Sequence, residues 1–371
     1  MFLEPVHVGR PNVGDRAAFF EKVEGLLTRN WLTNNGPLVK EFERLIAQRL
    51  GVRHCVAMCN GTVALEIAIR AMELKGEVIV PSWTFVATAH ALSWQGITPV
   101  FADIDPDTHN ISPLAVRRML TPRTSGIVGV HLWGRAAPVE ELQDIASEHN
   151  LGLLFDAAHA FGCTHRGQSI GGFGRCEVLS FHATKVLNTM EGGAVVTNDN
   201  DLAEKMRLMR NFGFQGYDNV IHPGTNGKMT EICAAMGLVN LASLDDFISG
   251  NVAAYSRYSE ALADIPGVRL LKYDPAERNS HQYVVIEIGK DFPGSRDEVV
   301  DALHGLNILA RKYFWPGSHA MQPYKELYPH AGLLLSQTIN VAEKVVILPS
   351  GPSLPQGCVE VVADTLKSFI R

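Results

Sequence analysis

Apolar positions recur at helical spacing over residues 15–27 and again over 38–50, which predicts two amphipathic helices. Between them, Trp31-Leu32-Thr33-Asn34-Asn35-Gly36-Pro37 combines turn formers with a large aromatic and reads as a loop. The pattern then shortens. Residues 55–58 form an apolar run of strand length, and Asn60-Gly61-Thr62 opens a helix carrying Val63, Leu65, Ile67, Ala68 and Ala71. Strands are predicted over 77–81, 98–101, 126–132 and 151–155, with helices over 84–94 and 139–149 among them. Two further apolar runs, Val178-Leu179-Ser180-Phe181 and Ala194-Val195-Val196, read as buried strands joined by a turn at Gly192-Gly193.

Short strands that are apolar throughout, with helices between them, predict an α/β domain with a largely parallel sheet. Helical spacing returns over 201–212 and 229–248. The intervening stretch 213–228 is rich in glycine, asparagine and proline, and a loop that long usually serves a site or a subunit contact. From about Gly267 the texture changes to strands over 268–271 and 282–288 and helices over 295–306 and 359–370, which predicts a separate α+β lobe. No internal repeat interrupts this order.

Composition narrows the classes. Hydrophobic residues make up 46% and charged residues 19% of the 371, an ordinary globular balance, and the length suits a large domain with a smaller one. The net charge of −6 and the absence of a basic run argue against nucleic acid as the main partner. No apolar run reaches the ~18 residues of a membrane span. Met1-Phe2-Leu3-Glu4-Pro5 lacks the features of a signal peptide, so a cytoplasmic protein without a membrane partner is expected. The six cysteines are scattered and read as free thiols; no metal site is expected.

Three polar features sit where apolar elements end. The Asn60-Gly61-Thr62 turn offers free N–H groups at a helix start, suited to an anion or equally to an ordinary cap. Asp156 closes the strand Leu153-Leu154-Phe155, where it could pair with a pyridine nitrogen or cap the next helix. Lys185 follows the strand 178–181, where it either reaches solvent or serves as a desolvated nucleophile. Together they are the three attachments that pyridoxal phosphate requires, and Gly192 and Gly193 would let backbone pass close to it.

The ordered set Asn60-Gly61-Thr62-Val63-Ala64-Leu65, Pro81-Ser82-Trp83-Thr84-Phe85-Val86-Ala87-Thr88, Phe101-Ala102-Asp103-Ile104-Asp105, Val130-His131-Leu132-Trp133-Gly134, Phe155-Asp156-Ala157-Ala158-His159, Ser180-Phe181-His182-Ala183-Thr184-Lys185 and Asn226-Gly227-Lys228-Met229 resembles the DegT/DnrJ/EryC1/StrS family of nucleotide-sugar aminotransferases. The resemblance implies the type I aspartate aminotransferase fold. It implies a large pyridoxal phosphate domain with a mainly parallel seven-stranded sheet and an N-terminal arm over 1–250, and a small α+β domain over 251–371. It further implies Lys185 as the Schiff-base lysine, Asp156 on the pyridinium nitrogen, and Gly61, Thr62 and Ser180 on the phosphate. Phe85, with core packing as its alternative, or else Trp83 would cover the ring, and His159 would sit on the O3′ side. Asn226 would reach the neighbouring subunit's phosphate, implying a homodimer with shared sites. Lys228, Tyr313 and His319 would face the sugar nucleotide, with 31–36 a further substrate-side loop. The Phe-Asp-Ala-Ala-His and Asn-Gly-Lys-Met variants resemble members that aminate a dTDP-4-keto-6-deoxyhexose at C4, with L-glutamate as donor. The rivals are a C3 ketosugar or cyclitol aminotransferase and a non-catalytic regulator that binds the cofactor; the intact Lys185 and Asp156 weigh against the last.

Overall fold

The computed structural model describes residues 1–370. Seven strands form the main sheet: β1 His54–Met58, β2 Glu77–Pro81, β3 Thr98–Ala102, β4 Thr124–Val130, β5 Gly152–Asp156, β6 Cys176–Ser180 and β7 Gly193–Thr197. Their spatial order is β1-β7-β6-β5-β4-β2-β3. All neighbours run parallel except β7, which is antiparallel to both β1 and β6. This is the mainly parallel seven-stranded sheet expected from the sequence.

Alternating side chains of each strand enter different cores, which is why the strands read as unbroken apolar runs. Val56, Met58, Val178 and Val195 pack with the helices Gly61–Ala71 and Asn200–Met209. Cys55, Ala57, Leu179 and Val196 pack on the opposite face with the helices Pro37–Leu50 and Glu231–Ala242. The helix Pro37–Leu50 starts with proline at its first turn, and its Leu38 and Val39 N–H groups donate to the buried Glu231 carboxylate at 2.9 Å.

The strands Val268–Leu270, Val284–Ile288 and Val345–Leu348 make an antiparallel sheet with its own apolar cluster. Two features there were not predicted. The N-terminal strand Val6–His7 pairs in parallel with Ile308–Leu309, so Val6 joins this second core. The helix expected over 229–248 is two helices, Glu231–Ala242 and Leu244–Leu262, bent by 62° at Ser243. The second helix buries Leu244, Phe247 and Ile248 in the large core and Tyr258 and Leu262 in the small one. Position 250 therefore lies inside a continuous helix that belongs to both cores.

One backbone contact joins the sheet to the turn after β1. Gly193 is opposite Met58 on one side and Ser180 on the other. A Cβ on Gly193 would lie 2.5 Å from the Asn60 carbonyl carbon and the Gly61 nitrogen. Backbone cannot yield as a flexible side chain can, so Gly193→Ala should cost on the order of 1–3 kcal/mol. Urea unfolding should register this as a lower midpoint; an unchanged midpoint would show that the turn is not held by this contact.

Candidate active site

The carboxyl ends of the parallel strands open into a cavity of about 710 Å³. Val130 and Asp156 close β4 and β5 and stand in register with Val178 in the middle of β6, and all three line it. The segment after β6 folds into a compact loop. Phe181 N–H donates to the Gly192 carbonyl, Thr189 N–H to the Phe181 carbonyl and Lys185 N–H to the His182 carbonyl. The loop turns the Lys185 side chain into the same cavity as Asp156.

Among the described residues Lys185 has no carboxylate within ion-pairing distance; its Nζ donates to the Tyr283 hydroxyl at 3.4 Å. Burial lowers its pKa to about 8, and the charge of Asp156 acts the other way. Asp156 is held by Thr88 Oγ1–H at 2.9 Å and by the Ala158 N–H at 3.1 Å. Desolvation nevertheless pushes its carboxyl up, against those two hydrogen bonds and the charges of Lys185 and His131. A cationic ring nitrogen would supply the partner this carboxylate lacks.

At one end of the cavity, the helix Gly61–Ala71 begins with Asn60, whose side chain accepts from the Val63 N–H at 2.8 Å. The Gly61 and Thr62 N–H groups are left pointing outward, without a protein acceptor. A Cβ on Gly61 would lie 3.2 Å from the Ser180 Cβ, so the Ser180 hydroxyl closes the same cradle. These groups suit a phosphate. Gly192 and Gly193 were expected to let backbone pass close to a cofactor. Neither lines the cavity: Gly193 fits against backbone of the turn, and Gly192 fits against Thr189.

His159 is buried beside Lys185, and burial pushes its imidazole well below the usual range, with the Lys185 charge acting in the same direction. The Trp133 N–H donates to its Nδ1 at 3.4 Å, which leaves the ring proton on Nε2. The Trp133 indole lies nearly parallel to it, with centroids 5.7 Å apart. Phe85 lines the cavity and is 57% exposed, whereas Trp83 is fully buried against Phe314. Core packing therefore describes Trp83 and not Phe85.

Of the sequence-predicted residues, Gly61, Thr62, Phe85, Asp156, His159, Ser180, Lys185 and Tyr313 share this cavity. Three lie elsewhere in the same chain. Asn226 is on the surface, in a bridge with Asn211. The Lys228 ammonium stands over the Phe212 ring at 4.6 Å, and partial burial lowers its pKa. His319 is buried outside the cavity, its Nδ1 2.7 Å from the Ser82 hydroxyl. In this chain its one polar side-chain partner among the described residues is therefore Ser82.

Sequence reading missed Thr88, Tyr283 and the approach of the expected N-terminal arm to the cavity. Thr88 stood within a quoted motif, but nothing in one sequence says that its hydroxyl meets Asp156. Tyr283 immediately precedes the strand Val284–Ile288 and carries no local signal. His7 to Asn12 reach the cavity only because Val6–His7 pairs with a strand about three hundred residues later.

Residues 14–367 match the model of the DegT/DnrJ/EryC1/StrS aminotransferase family. The chain is 37% identical over 368 residues to the dTDP-4-amino-4,6-dideoxy-D-glucose transaminase of Shigella dysenteriae, covering 99% of both chains. It is 38% identical over 303 residues to the GDP-perosamine synthase of Caulobacter vibrioides, covering 80% of this chain and 81% of that one. Among solved structures, DesI in the presence of its TDP-sugar product superposes with a TM-score of 0.94 at 48% identity, covering 99% of this chain and 93% of that one. PseC of Helicobacter pylori, an aminotransferase involved in pseudoaminic acid biosynthesis, gives 0.90 at 30% identity and 99% coverage of both.

An aldehyde attaches only to the uncharged amine. The rate at which cofactor-free protein takes up pyridoxal phosphate should therefore rise with pH and level off above an inflection near 8, followed by its visible absorption. Asp156 favours the charged amine, so Asp156→Asn should move the inflection to lower pH. An inflection that stays put, or moves up, would remove Asp156 from the electrostatics of Lys185.

Proposed function

This chain belongs to the DegT/DnrJ/EryC1/StrS aminotransferase family, and we propose that it transfers an amino group from L-glutamate to C4 of dTDP-4-keto-6-deoxy-D-glucose. It is a pyridoxal phosphate-dependent sugar aminotransferase. The observation that carries the reading is a desolvated amine sharing one cavity with a buried carboxylate and a helix-start anion cradle. The relatives act with more than one nucleotide, as a dTDP-sugar transaminase and a GDP-perosamine synthase. The full-length likeness to the former, together with that to DesI, favours dTDP.

The residues present fit the cofactor. Lys185 Nζ would hold its aldehyde carbon, Asp156 its ring nitrogen, and Gly61, Thr62 and Ser180 its phosphate. Phe85 would cover one face and the Nε2–H of His159 would meet the ring oxygen. Bound there, pyridoxal phosphate supplies an electron sink for charge left on carbon when a proton departs. Lys185 Nζ, uncharged at mildly alkaline pH, is the base that moves this proton. The Thr88 hydroxyl and the Ala158 N–H keep the Asp156 carboxylate oriented while charge shifts in the ring.

Asn226 and Lys228 enter this proposal through a second copy. They lie outside their own cavity, on a surface where Trp31, Leu32, Phe212, Tyr217 and Ile221 are exposed. The loop carrying Trp31 and Leu32 is tied there by the Glu231 N–H to the Leu32 carbonyl at 3.0 Å. Apolar side chains around an unpaired lysine suit a homodimer in which each copy completes the other's site. The two lobes, 1–250 and 251–371, would then share the cavity across the helix Leu244–Leu262. No single helix among the described residues is long and apolar enough to cross a membrane; a cytoplasmic setting is part of the same proposal.

Lys185→Ala should abolish the visible absorption of bound cofactor and lower turnover by ~10³-fold or more. Survival of both would overturn the assignment. Mass detection of products from dTDP-, UDP- and GDP-ketosugars with L-glutamate should give an aminated dTDP-sugar in excess. A dominant UDP or GDP product, or an amine at C3 by NMR, would replace the proposed substrate.

A further inference from the structure

The N-terminal arm runs along the lysine loop. A Cβ on Gly9 would meet the Thr184 Cβ at 3.1 Å. The Asn12 amide donates to the Val186 carbonyl at 3.1 Å, and the Asn188 amide donates to the Asn12 carbonyl at 2.7 Å. Residues 9 and 12 thus flank Lys185, and Arg10 between them lines the cavity. The strand Val6–His7 pairs in parallel with Ile308–Leu309, so both chains leave the ladder in one direction. Arg311, two residues beyond its strand, therefore emerges at the same wall and also lines the cavity.

Neither guanidinium has a carboxylate within 4.0 Å among the described residues. Arg10 donates to the Pro5 carbonyl at 2.8 Å, and Arg311 rests over the Tyr313 ring at 4.8 Å. The acids in this cavity are Asp156, bonded to Thr88 and Ala158, and Glu191, which lies 3.7 Å from His182 Nε2. Two arginines are thus open to an anionic ligand at the lysine end of the cavity, while the phosphate cradle occupies Gly61, Thr62 and Ser180.

We propose that Arg10 and Arg311 bind the two carboxylates of a dicarboxylic amino donor, Arg10 taking the α-carboxylate and Arg311 the side-chain carboxylate. This rests on the aminotransferase reading above. The argument is one of bond count. A donor's α-carboxylate is one bond from the carbon that reacts at Lys185, so its partner comes from the wall beside that lysine, the segment that carries Arg10. In a 4-ketosugar the diphosphate is carried at C1, across the ring from the reacting carbon, and its partners belong farther away. Guanidinium groups match carboxylates through paired N–H donors, and such charge-assisted bonds are the strong ones. A second arginine distinguishes a dicarboxylate from L-alanine.

The test uses the holoenzyme and its Arg10→Gln, Arg10→Lys and Arg311→Gln variants, each first checked for an unchanged unfolding midpoint and cofactor absorption. Glutarate, a dicarboxylate without an amine, is titrated against the cofactor's visible band. Single-turnover amination of the cofactor is followed with L-glutamate and with L-alanine, and KM is measured for the ketosugar. Each glutamine variant should weaken glutarate and L-glutamate roughly tenfold or more, with Arg10→Lys in between. Arg10→Gln should weaken L-alanine as well, Arg311→Gln should spare it, and the ketosugar KM should stay within about threefold. Unchanged glutarate and glutamate binding, or a loss confined to the ketosugar, would overturn the proposal. If the wild-type holoenzyme itself fails to react with L-glutamate, it is the donor in the proposed function that fails, whatever the variants do.

Discussion

A primary amine partly buried in a cavity, with no carboxylate within 4.0 Å among the described residues, is the constraint around which this molecule is built. Lys185 contributes no stabilising ion pair to the fold; its nearest polar partner is the Tyr283 hydroxyl. Burying a cation this way is unfavourable, and the protein tolerates it because deprotonation relieves the cost. The same relief makes the amine a nucleophile near pH 8. Asp156 carries the opposite problem, a carboxylate raised by burial and held by one hydroxyl and one N–H. The two groups share one cavity, and in the proposed function one ligand would satisfy both.

The rest of the chain holds that arrangement in place. A parallel sheet buried on both faces delivers Val130, Asp156 and Val178 to one edge in register. The antiparallel β7 then brings Ser180 beside the Asn60-Gly61 turn, and the missing Cβ of Gly193 permits the approach. The second lobe closes the other side. Tyr283, Arg311, Tyr313 and Phe314 come from it, and it is bound to the arm by the Val6–Ile308 pairing. The helix Leu244–Leu262 belongs to both cores, so the wall between the lobes is continuous rather than hinged on a loose linker.

Much of the site was legible before the fold. Asp156, Lys185 and the Asn60-Gly61-Thr62 turn each stand where an apolar element stops, because parallel strands present their ends to ligands. The glycines Gly192 and Gly193 were legible as a close approach but not as to what they approach. Phe85 and Trp83, two residues apart, looked equally able to cover a ring; burial of one and exposure of the other separates them. His319 was expected to face the sugar and lies outside the cavity, bonded to Ser82. A single sequence shows which residues are reactive but not which of them another side chain has already engaged.

What the amino-acid order determined by itself is therefore local: strand and helix periods, the capped turn, and a carboxylate and an amine at strand ends. These follow from backbone geometry and burial within a few residues. Tertiary structure alone decided the long-range pairs, Thr88 with Asp156, Tyr283 with Lys185, and Arg10 with Arg311 around one wall. Those contacts join residues tens to hundreds of positions apart, and their partners are set by sheet order and strand register. No periodicity along the chain encodes that information, because register is a property of two strands together.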